Sequence, residues 1–382
     1  MASLADDNVR YAEIRFCPEL HTTEGLSLAE VVVAVCRGVH RGCEGSAIQG
    51  GVIVCALRSF SAEHSLRHAQ LAHEFLGQGV LGFDLAGDEN YMLSLHTQAF
   101  EYCARHGVPF TIHAGELMPE EEPAAMVPNL ELALELGARR LGHGFALCQD
   151  QSGELVRRAA AAGVTVEVCL PICLNPRFSW YCADPAHQRP SATGTITGSS
   201  VYAAHPITGW HAAGLAAALS CDNITLSGTR AISSSSMLVH LVVDLGFSWA
   251  EAREVLLNGV RAAFLPNTAG AKATLIEGFT RDLDATFRAH GLLHEEDGGG
   301  GLSLASRLQG GDAALAPPAA EAEAGDTARG PPAPSAAASP PVPSSRPGFS
   351  VRNAVAAEYP QVVSIVNTAF AAAYAHVRPP PT

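Results

Sequence analysis

The sequence predicts an α/β fold, a TIM-type (β/α)8 barrel, and two observations support this. Short apolar runs alternate with Ala-, Leu- and Glu-rich stretches of helical period from Tyr11 to about Leu293. Several of these runs are followed directly by polar residues that could take part in catalysis. Strands and helices that alternate at this spacing form parallel sheets with right-handed crossovers, and so many units favour a closed barrel. A doubly wound open sheet is the alternative.

Seven apolar runs have the pattern of buried strands, and five stretches between them have the period of amphipathic helices. The predicted strands are residues 11–16, 51–56, 80–85, 109–113, 140–143, 164–168 and 216–220. The predicted helices are residues 27–38, 63–76, 93–106, 129–136 and 153–162. Because a closed barrel needs eight strands, we expect the first β/α unit, at the amino end, to be missing from this chain.

Composition excludes several classes of protein. The chain has 382 residues, 47% of them hydrophobic, which is ample for a buried core. A net charge of −14 with no cluster of Lys or Arg argues against a nucleic-acid polymer as partner. Apolar stretches such as residues 31–36 are too short to cross a membrane, and residues 1–7 do not resemble a signal peptide. We therefore expect a cytoplasmic protein whose ten unpaired cysteines are reduced.

The strand that ends at residue 113 leads directly into a histidine and a carboxylate. Alternation along the strand would point Thr111 and His113 to one side while Phe110 and Ile112 pack against helices. A neutral imidazole at the mouth of the barrel suits a divalent metal, and Glu116 in the loop could act as general acid or base. The alternative is a solvated loop histidine beside a glutamate at a helix N-terminus.

Polar residues follow the other predicted strands in the same way. They are Gly87 and Asp88 after the third strand, His143 after the fifth, Glu167 and Cys169 at the sixth, and Asp222 and Asn223 after the seventh. Taken singly, His143 could belong to a capped turn and Asp222 to an ordinary Asx turn. Because a barrel brings all these strand ends to one rim, the shared register predicts that His, Asp and Glu surround one metal.

These stretches together resemble the adenosine deaminase family in order and spacing. The motifs are DLAGDE at 84–89, TIHAGE at 111–116, LGHG at 141–144, EVCL at 167–170, HPI at 205–207 and LSCDN at 219–223. The resemblance runs from about Tyr11 to Phe279. AMP deaminases and aminodeoxyfutalosine deaminases share most of the motifs. The resemblance implies hydrolytic deamination of adenosine, or of a close purine nucleoside, to inosine and ammonia with Zn²⁺ as cofactor.

The resemblance also implies roles for individual residues at the metal. His113 and Asp222 are similar to metal ligands of the family. Glu116 resembles the acid that protonates purine N1. His143 resembles the residue that orients or deprotonates the attacking water.

Two further residues resemble substrate contacts. Gly87 is similar to a glycine whose backbone N–H meets the purine, and Asn223 stands where an aspartate commonly contacts N7. The amide of Asn223 can still donate to a ring nitrogen. Residues 169–173 depart from the usual turn of the family, and residues 176–200 lengthen the loop that follows.

One family motif is absent from the sequence. Family members open with a strand that ends in His-x-His and supplies two zinc ligands, and no His-x-His occurs in these 382 residues. Since zinc usually has three or four protein ligands, we expect weak zinc binding and low activity of this chain. A non-catalytic paralogue that binds purines or a partner is the alternative function.

The sequence changes character after the barrel. We assign residues 1–292 to the barrel, 293–347 to a disordered linker rich in Gly, Ala, Pro and Ser, and 348–382 to a short strand-helix segment. This last segment faintly resembles the opening of a GNAT acetyltransferase. A third reading of the chain is therefore an acetyltransferase that carries the barrel as a passenger.

Overall fold

A computed structural model shows the architecture of the barrel. The structure describes residues 1, 4–5, 9–22, 25–116, 120–170, 201–220, 222, 234–265 and 270–293. The predicted linker beyond residue 293 and the predicted segment 348–382 lie outside these residues.

All seven predicted strands are present within the described residues. They are β1 (Tyr11–Phe16), β2 (Gln49–Leu57), β3 (Val80–Ala86), β4 (Thr111–Ala114), β5 (Arg140–His143), β6 (Thr165–Val168) and β7 (Ala216–Leu219). Every pairing is parallel, in the orders β1-β2-β3 and β4-β5-β6-β7. A parallel bridge between Phe83 and Phe110 connects the two groups. Strands that pair in chain order are typical of a barrel, whereas a doubly wound sheet reverses its order, so the barrel prediction is confirmed.

The five predicted helices are present with shifted ends, and the last four α-helices of the described residues were not predicted. The α-helices are α1 (Leu28–Cys43), α2 (Ala62–Glu74), α3 (Thr97–His106), α4 (Val127–Glu135), α5 (Glu154–Ala161), α6 (Ile207–Ala212), α7 (Ser234–Val243), α8 (Trp249–Ala262) and α9 (Ala271–Ala289). Short 3-10 helices span Pro18–His21, Leu93–His96, Pro123–Met126, Phe145–Gln149 and Val201–Ala204. The predicted helix 93–106 is thus a 3-10 turn followed by α3. No described helix combines the length and apolar character needed to cross a bilayer.

Local sequence signals explain where helices begin and end. Ser27 caps α1, because its Oγ accepts the N–H of Glu30 at 3.3 Å while the Glu30 carboxylate accepts the N–H of Ser27 at 2.8 Å. This reciprocal pair is a capping box. α3 ends at His106 and is capped by Gly107, whose φ of 68° lies in the left-handed region that glycine enters without a steric penalty.

The side chains of β4 alternate between an apolar environment on one side of the strand and a polar environment on the other. Ile112 and Ala114 of β4 are fully buried among apolar side chains of the helix layer. Thr111 and His113 instead contact charged side chains of other strands, Glu167 and Asp84 respectively. The predicted alternation along β4 is therefore correct, and the inside of the barrel is polar.

Candidate functional site

His113 and His143 lie side by side at the carboxyl ends of β4 and β5. The register pairs His113 with Gly142 and Ala114 with His143, and the two imidazole centres are 5.1 Å apart. A Cβ at position 142 would lie 3.1 Å from Cγ of His113, closer than most real contacts. The glycine in the LGHG stretch therefore leaves the space that the His113 ring occupies.

Asp84 orients the imidazole of His113. Its two carboxylate oxygens lie 3.0 and 3.2 Å from Nδ1 of His113. Burial alone would lower the pKa of His113, but the charge and hydrogen bond of Asp84 outweigh burial and raise it. Burial likewise opposes ionisation of Asp84, yet the charges of His113 and Arg15 hold the pKa of that carboxyl well below its usual range. Because Nδ1 is taken by Asp84, Nε2 of His113 is the nitrogen available to a metal.

A buried carboxylate holds the loop that carries Glu116. Glu89 accepts the backbone N–H of Gly115 at 2.9 Å and that of Glu116 at 2.6 Å. The side-chain amide of Asn129 donates to the same carboxylate at 3.2 Å. Glu116 itself is partly exposed, and its Oε2 lies 3.7 Å from Nε2 of His143. The structure therefore brings the two predicted catalytic side chains together at the rim.

His143 occupies an unusual backbone and electrostatic environment. Its φ of 63° is in the left-handed region, which a non-glycine residue rarely adopts. Burial lowers the pKa of His143, so its imidazole is neutral at neutral pH. Its Nδ1 is buried, and no hydrogen-bond partner for it exists among the described residues.

Asp222 completes a compact set of possible metal ligands. His143, Cys169 and Asp222 each offer one ligand atom, and these three atoms lie within 4.8 Å of one another. Asp222 is exposed and, like His143, has a positive φ, here 51°. His113, the other predicted ligand, does not belong to this set, which is the one such group found among the described residues.

The structure describes only one of the two predicted substrate contacts, Gly87. Gly87 follows β3 with a φ of 102°, a backbone conformation that side chains disfavour. A Cβ there would meet the backbone N of Arg58 at 3.6 Å, an ordinary contact, so the need for glycine is conformational rather than steric. Asn223 lies outside the described residues, so its predicted contact stays a prediction.

A network of ion pairs inside the barrel was not predicted. Glu167, which the sequence grouped with the rim, turns inward instead: its Oε2 lies 2.6 Å from Arg15 and its Oε1 lies 2.8 Å from Arg140. Thr111 donates to the same carboxylate at 3.1 Å, and Arg140 also contacts Glu13 at 2.6 Å. Burial opposes ionisation of Glu167, but the two arginine charges outweigh it and lower its pKa to about 2. Glu167 therefore binds arginines inside the barrel and is not placed to bind a metal at the rim.

Arg58 is a second unpredicted residue at the site. It is almost fully buried, and its guanidinium donates to the backbone carbonyl of His113 at 2.6 Å and to that of Tyr91 at 3.0 Å. It therefore connects the end of β4 to the loop after β3. The signal in the sequence was a lone arginine directly after an apolar strand, which is also the pattern of a solvated strand end.

Comparison with known proteins agrees with the motifs. The family model for adenosine deaminase matches residues 1–175. An adenosine deaminase of Mycolicibacterium gilvum is 33% identical over 267 residues, covering 69% of this chain and 68% of the relative. The chain belongs to the adenosine deaminase family. Membership makes it a deaminase of the hydrolase class, as the resemblance implied.

Two solved structures have a fold similar to that of this chain. A zinc-bound amidohydrolase of Burkholderia ambifaria superposes with a TM-score of 0.57 and 22% identity, covering 74% of this chain and 72% of that one. An adenine deaminase of Arthrobacter aurescens has a TM-score of 0.57 and 23% identity, covering 74% of this chain and 76% of that one. Both similarities support the β/α barrel.

Proposed function

We propose that this member of the adenosine deaminase family hydrolyses adenosine, or a close purine nucleoside, to inosine and ammonia in a zinc-dependent reaction. The observation that carries the proposal is the meeting of Glu116 and His143 at the rim, 3.7 Å apart and beside His113. An acid and a neutral base at one edge of a barrel are what this hydrolysis requires. The relative named adenosine deaminase supports the nucleoside as substrate.

The donors at the rim fit a divalent metal. His113 keeps Nε2 available because Asp84 holds Nδ1, and a second imidazole, a thiol and a carboxylate lie together beside it. We assign His113 and Asp222 as ligands of zinc. When bound, zinc lowers the pKa of a coordinated water to about 7 and so supplies a nucleophile at neutral pH.

Two side chains, His143 and Glu116, then carry out the proton transfers. His143 is neutral because it is buried, so it can take up the proton of the attacking water. Glu116 delivers a proton to purine N1 as the ring accepts the nucleophile. The proton that His143 took from the water then passes to the exocyclic amine, which leaves as ammonia. The hydroxyl proton of the adduct is lost as the carbonyl of inosine forms, which balances the proton given to N1. We assign the backbone N–H of Gly87 and the amide of Asn223 to the purine ring, where they would fix its orientation.

We assign the chemistry to residues 1–292 and none to the linker 293–347 or the segment 348–382. The partner is a small purine nucleoside rather than a nucleic-acid polymer or a membrane. Among the described residues we assign two ligands, His113 and Asp222, where catalytic zinc usually has three from the protein, so we expect turnover well below the enzyme median of about 10 per second.

The test replaces Glu116 by glutamine in the full chain loaded with zinc. Glu116→Gln should keep bound zinc and lose most turnover of adenosine, because the amide cannot deliver a proton. Glu121→Gln is the matched control, since Glu121 is an exposed residue of the same loop. Turnover is followed by chromatography of inosine, with adenine and AMP as competing substrates.

Two outcomes would contradict the proposal. Zinc-loaded wild-type chain that neither binds nor converts adenosine would remove the assigned substrate. A Glu116→Gln variant within about tenfold of the wild-type rate would remove Glu116 as proton donor, because general acid catalysis contributes about a hundredfold or more.

A further inference from the structure

The backbone of Glu116 is bound by a carboxylate that comes from a different loop. Glu89 is fully buried, and its two side-chain oxygens accept the backbone N–H groups of Gly115 at 2.9 Å and of Glu116 at 2.6 Å. Two successive N–H groups that converge on one acceptor form a nest for an anion. Because hydrogen bonds to a charged acceptor are shorter and stronger than neutral ones, this carboxylate fixes the backbone at Glu116.

The nest depends on the backbone conformation of Gly115. Its φ of 72° lies in the left-handed region, and a Cβ at this position would come within 3.0 Å of Cδ1 of Leu130 on α4. On the other side of the loop, the carbonyl of Gly115 accepts the N–H of Ala146 at 2.9 Å. The loop therefore lies directly on α4, and hydrogen bonds hold it from two sides.

Asn129 of α4 orients the carboxylate that forms the nest. Its side-chain amide donates to Oε2 of Glu89 at 3.2 Å and to the backbone carbonyl of Glu89 at 3.3 Å. Its Oδ1 accepts the N–H of Leu93 at 3.0 Å, and the side chain is almost fully buried. A helix that supplies none of the residues assigned to the reaction therefore sets the orientation of Glu89.

The same contacts join two loops that face the substrate. Glu89 lies two residues after Gly87, to which we assign the purine ring. Arg58 adds a second connection, because it donates to the carbonyl of Tyr91 in the loop after β3 and to that of His113 at the end of β4. The loop after β3 and the loop after β4 therefore form one unit, which sets the position of the acid relative to the purine.

We propose that Glu89, oriented by Asn129, is a positioning residue that sets where Glu116 lies relative to purine N1. This inference rests on the role of Glu116 in the proposed function, and Glu89 itself exchanges no proton in the reaction. A displacement of a catalytic group by about 1 Å costs about a hundredfold in rate. Loss of the nest should therefore lower kcat, whereas the zinc ligands do not depend on these two N–H groups.

The test compares Glu89→Gln and Asn129→Ala with wild type in the full chain loaded with zinc. Glutamine keeps one acceptor oxygen but presents an amino group to the second N–H. Glu89→Gln should lower kcat for adenosine, counted per bound zinc, about tenfold to a hundredfold and change KM by less than about threefold. Asn129→Ala should change kcat and KM in the same way. Glu131→Gln, at an exposed position of α4, is the control and should match wild type.

Hydrogen exchange resolved to single amides measures the same contacts without turnover. The amides of Gly115 and Glu116 should be protected in the wild-type chain and exchange about tenfold faster or more in both variants. The amides of β4 should exchange at the wild-type rate, because only a general loss of stability would expose them.

The possible failures of this proposal and of the proposed function differ. Variants whose kcat stays within about threefold of wild type, or equal exchange at Gly115 and Glu116 in all three chains, would overturn the positioning role alone. Faster exchange throughout β4 would assign Glu89 to stability and would also overturn it. A zinc-loaded wild-type chain without turnover would overturn the proposed function and this inference with it.

Discussion

Replacing Glu167 by glutamine removes the negative charge that two arginines share inside the barrel. The wild-type carboxylate contacts Arg15 at 2.6 Å and Arg140 at 2.8 Å, and Thr111 donates to it at 3.1 Å. Glutamine keeps one acceptor oxygen but turns an amide N–H group toward a guanidinium. Arg140 keeps Glu13 and Arg15 keeps Asp84, so the positive charges are only partly compensated.

The shift in the pKa of Glu167 gives the size of the expected loss in the free energy of unfolding. Its pKa is lowered from 4.5 to about 2, and each unit corresponds to about 1.4 kcal/mol, so ionised Glu167 stabilises the fold by about 3 kcal/mol. Removing one partner of a buried ion pair costs a similar amount, about 3–5 kcal/mol. We expect Glu167→Gln to lower the free energy of unfolding by about 3 kcal/mol at pH 7.

The effect has a definite pH dependence. Because the folded pKa lies below the unfolded one, the stabilisation is complete above pH 4.5 and is lost as the pH falls through about 2. The difference between wild type and variant should therefore narrow across this window.

Urea unfolding followed by circular dichroism measures the difference. Glu154→Gln is the control, since Glu154 forms an exposed pair with Arg157 whose loss should cost below about 1 kcal/mol. A Glu167→Gln variant within about 1 kcal/mol of wild type, or a loss that does not depend on pH, would refute the reasoning.

Two further predictions concern the metal and the substrate. Asp84→Asn should weaken zinc affinity by about tenfold to a hundredfold in chelator competition, because Nδ1 of His113 loses the charged partner that orients its ring. Unchanged affinity would show that Asp84 does not orient His113. Asn223→Ala should raise KM for adenosine about fivefold to thirtyfold, which corresponds to about 1–2 kcal/mol of lost hydrogen bonding. An unaltered KM in steady-state assays would place Asn223 outside the pocket.

The strands could be predicted because their signal is local. Residues 11–16 and 140–143 were predicted with the bounds that the structure shows. The prediction for β4 began at residue 109, but the strand begins at Thr111, since Phe110 makes an isolated bridge to Phe83 on another strand. Periodicity shows that a run is apolar and extended, whereas its ends depend on which strand lies beside it.

The sequence predicted which residues of the site lie at the ends of strands, but not the contacts between side chains inside the barrel. The sequence placed His113, Glu116 and His143 at one rim, and the structure brings these three together. It did not predict that Glu167 turns inward to Arg15, because that contact joins β6 to β1 across the barrel. Alternation of charged residues along β1 was the available signal, and alternation alone does not tell the inside of a barrel from a solvated face.

The sequence places Cys169 at the same rim as His143 and Asp222, and the structure brings one ligand atom of each within 4.8 Å of the others. The positive φ angles of His143 and Asp222 could not be predicted, because no pattern of residue types specifies them outside glycine.

Hydrolytic deamination is tested most directly by following oxygen from water into the product. The zinc-loaded chain of 382 residues is incubated with adenosine in water enriched in oxygen-18, and the nucleoside is analysed by mass spectrometry. We predict inosine that carries one heavy oxygen per molecule, formed together with an equal amount of ammonia. Unchanged adenosine, or adenine and ribose in place of inosine, would contradict the proposed function.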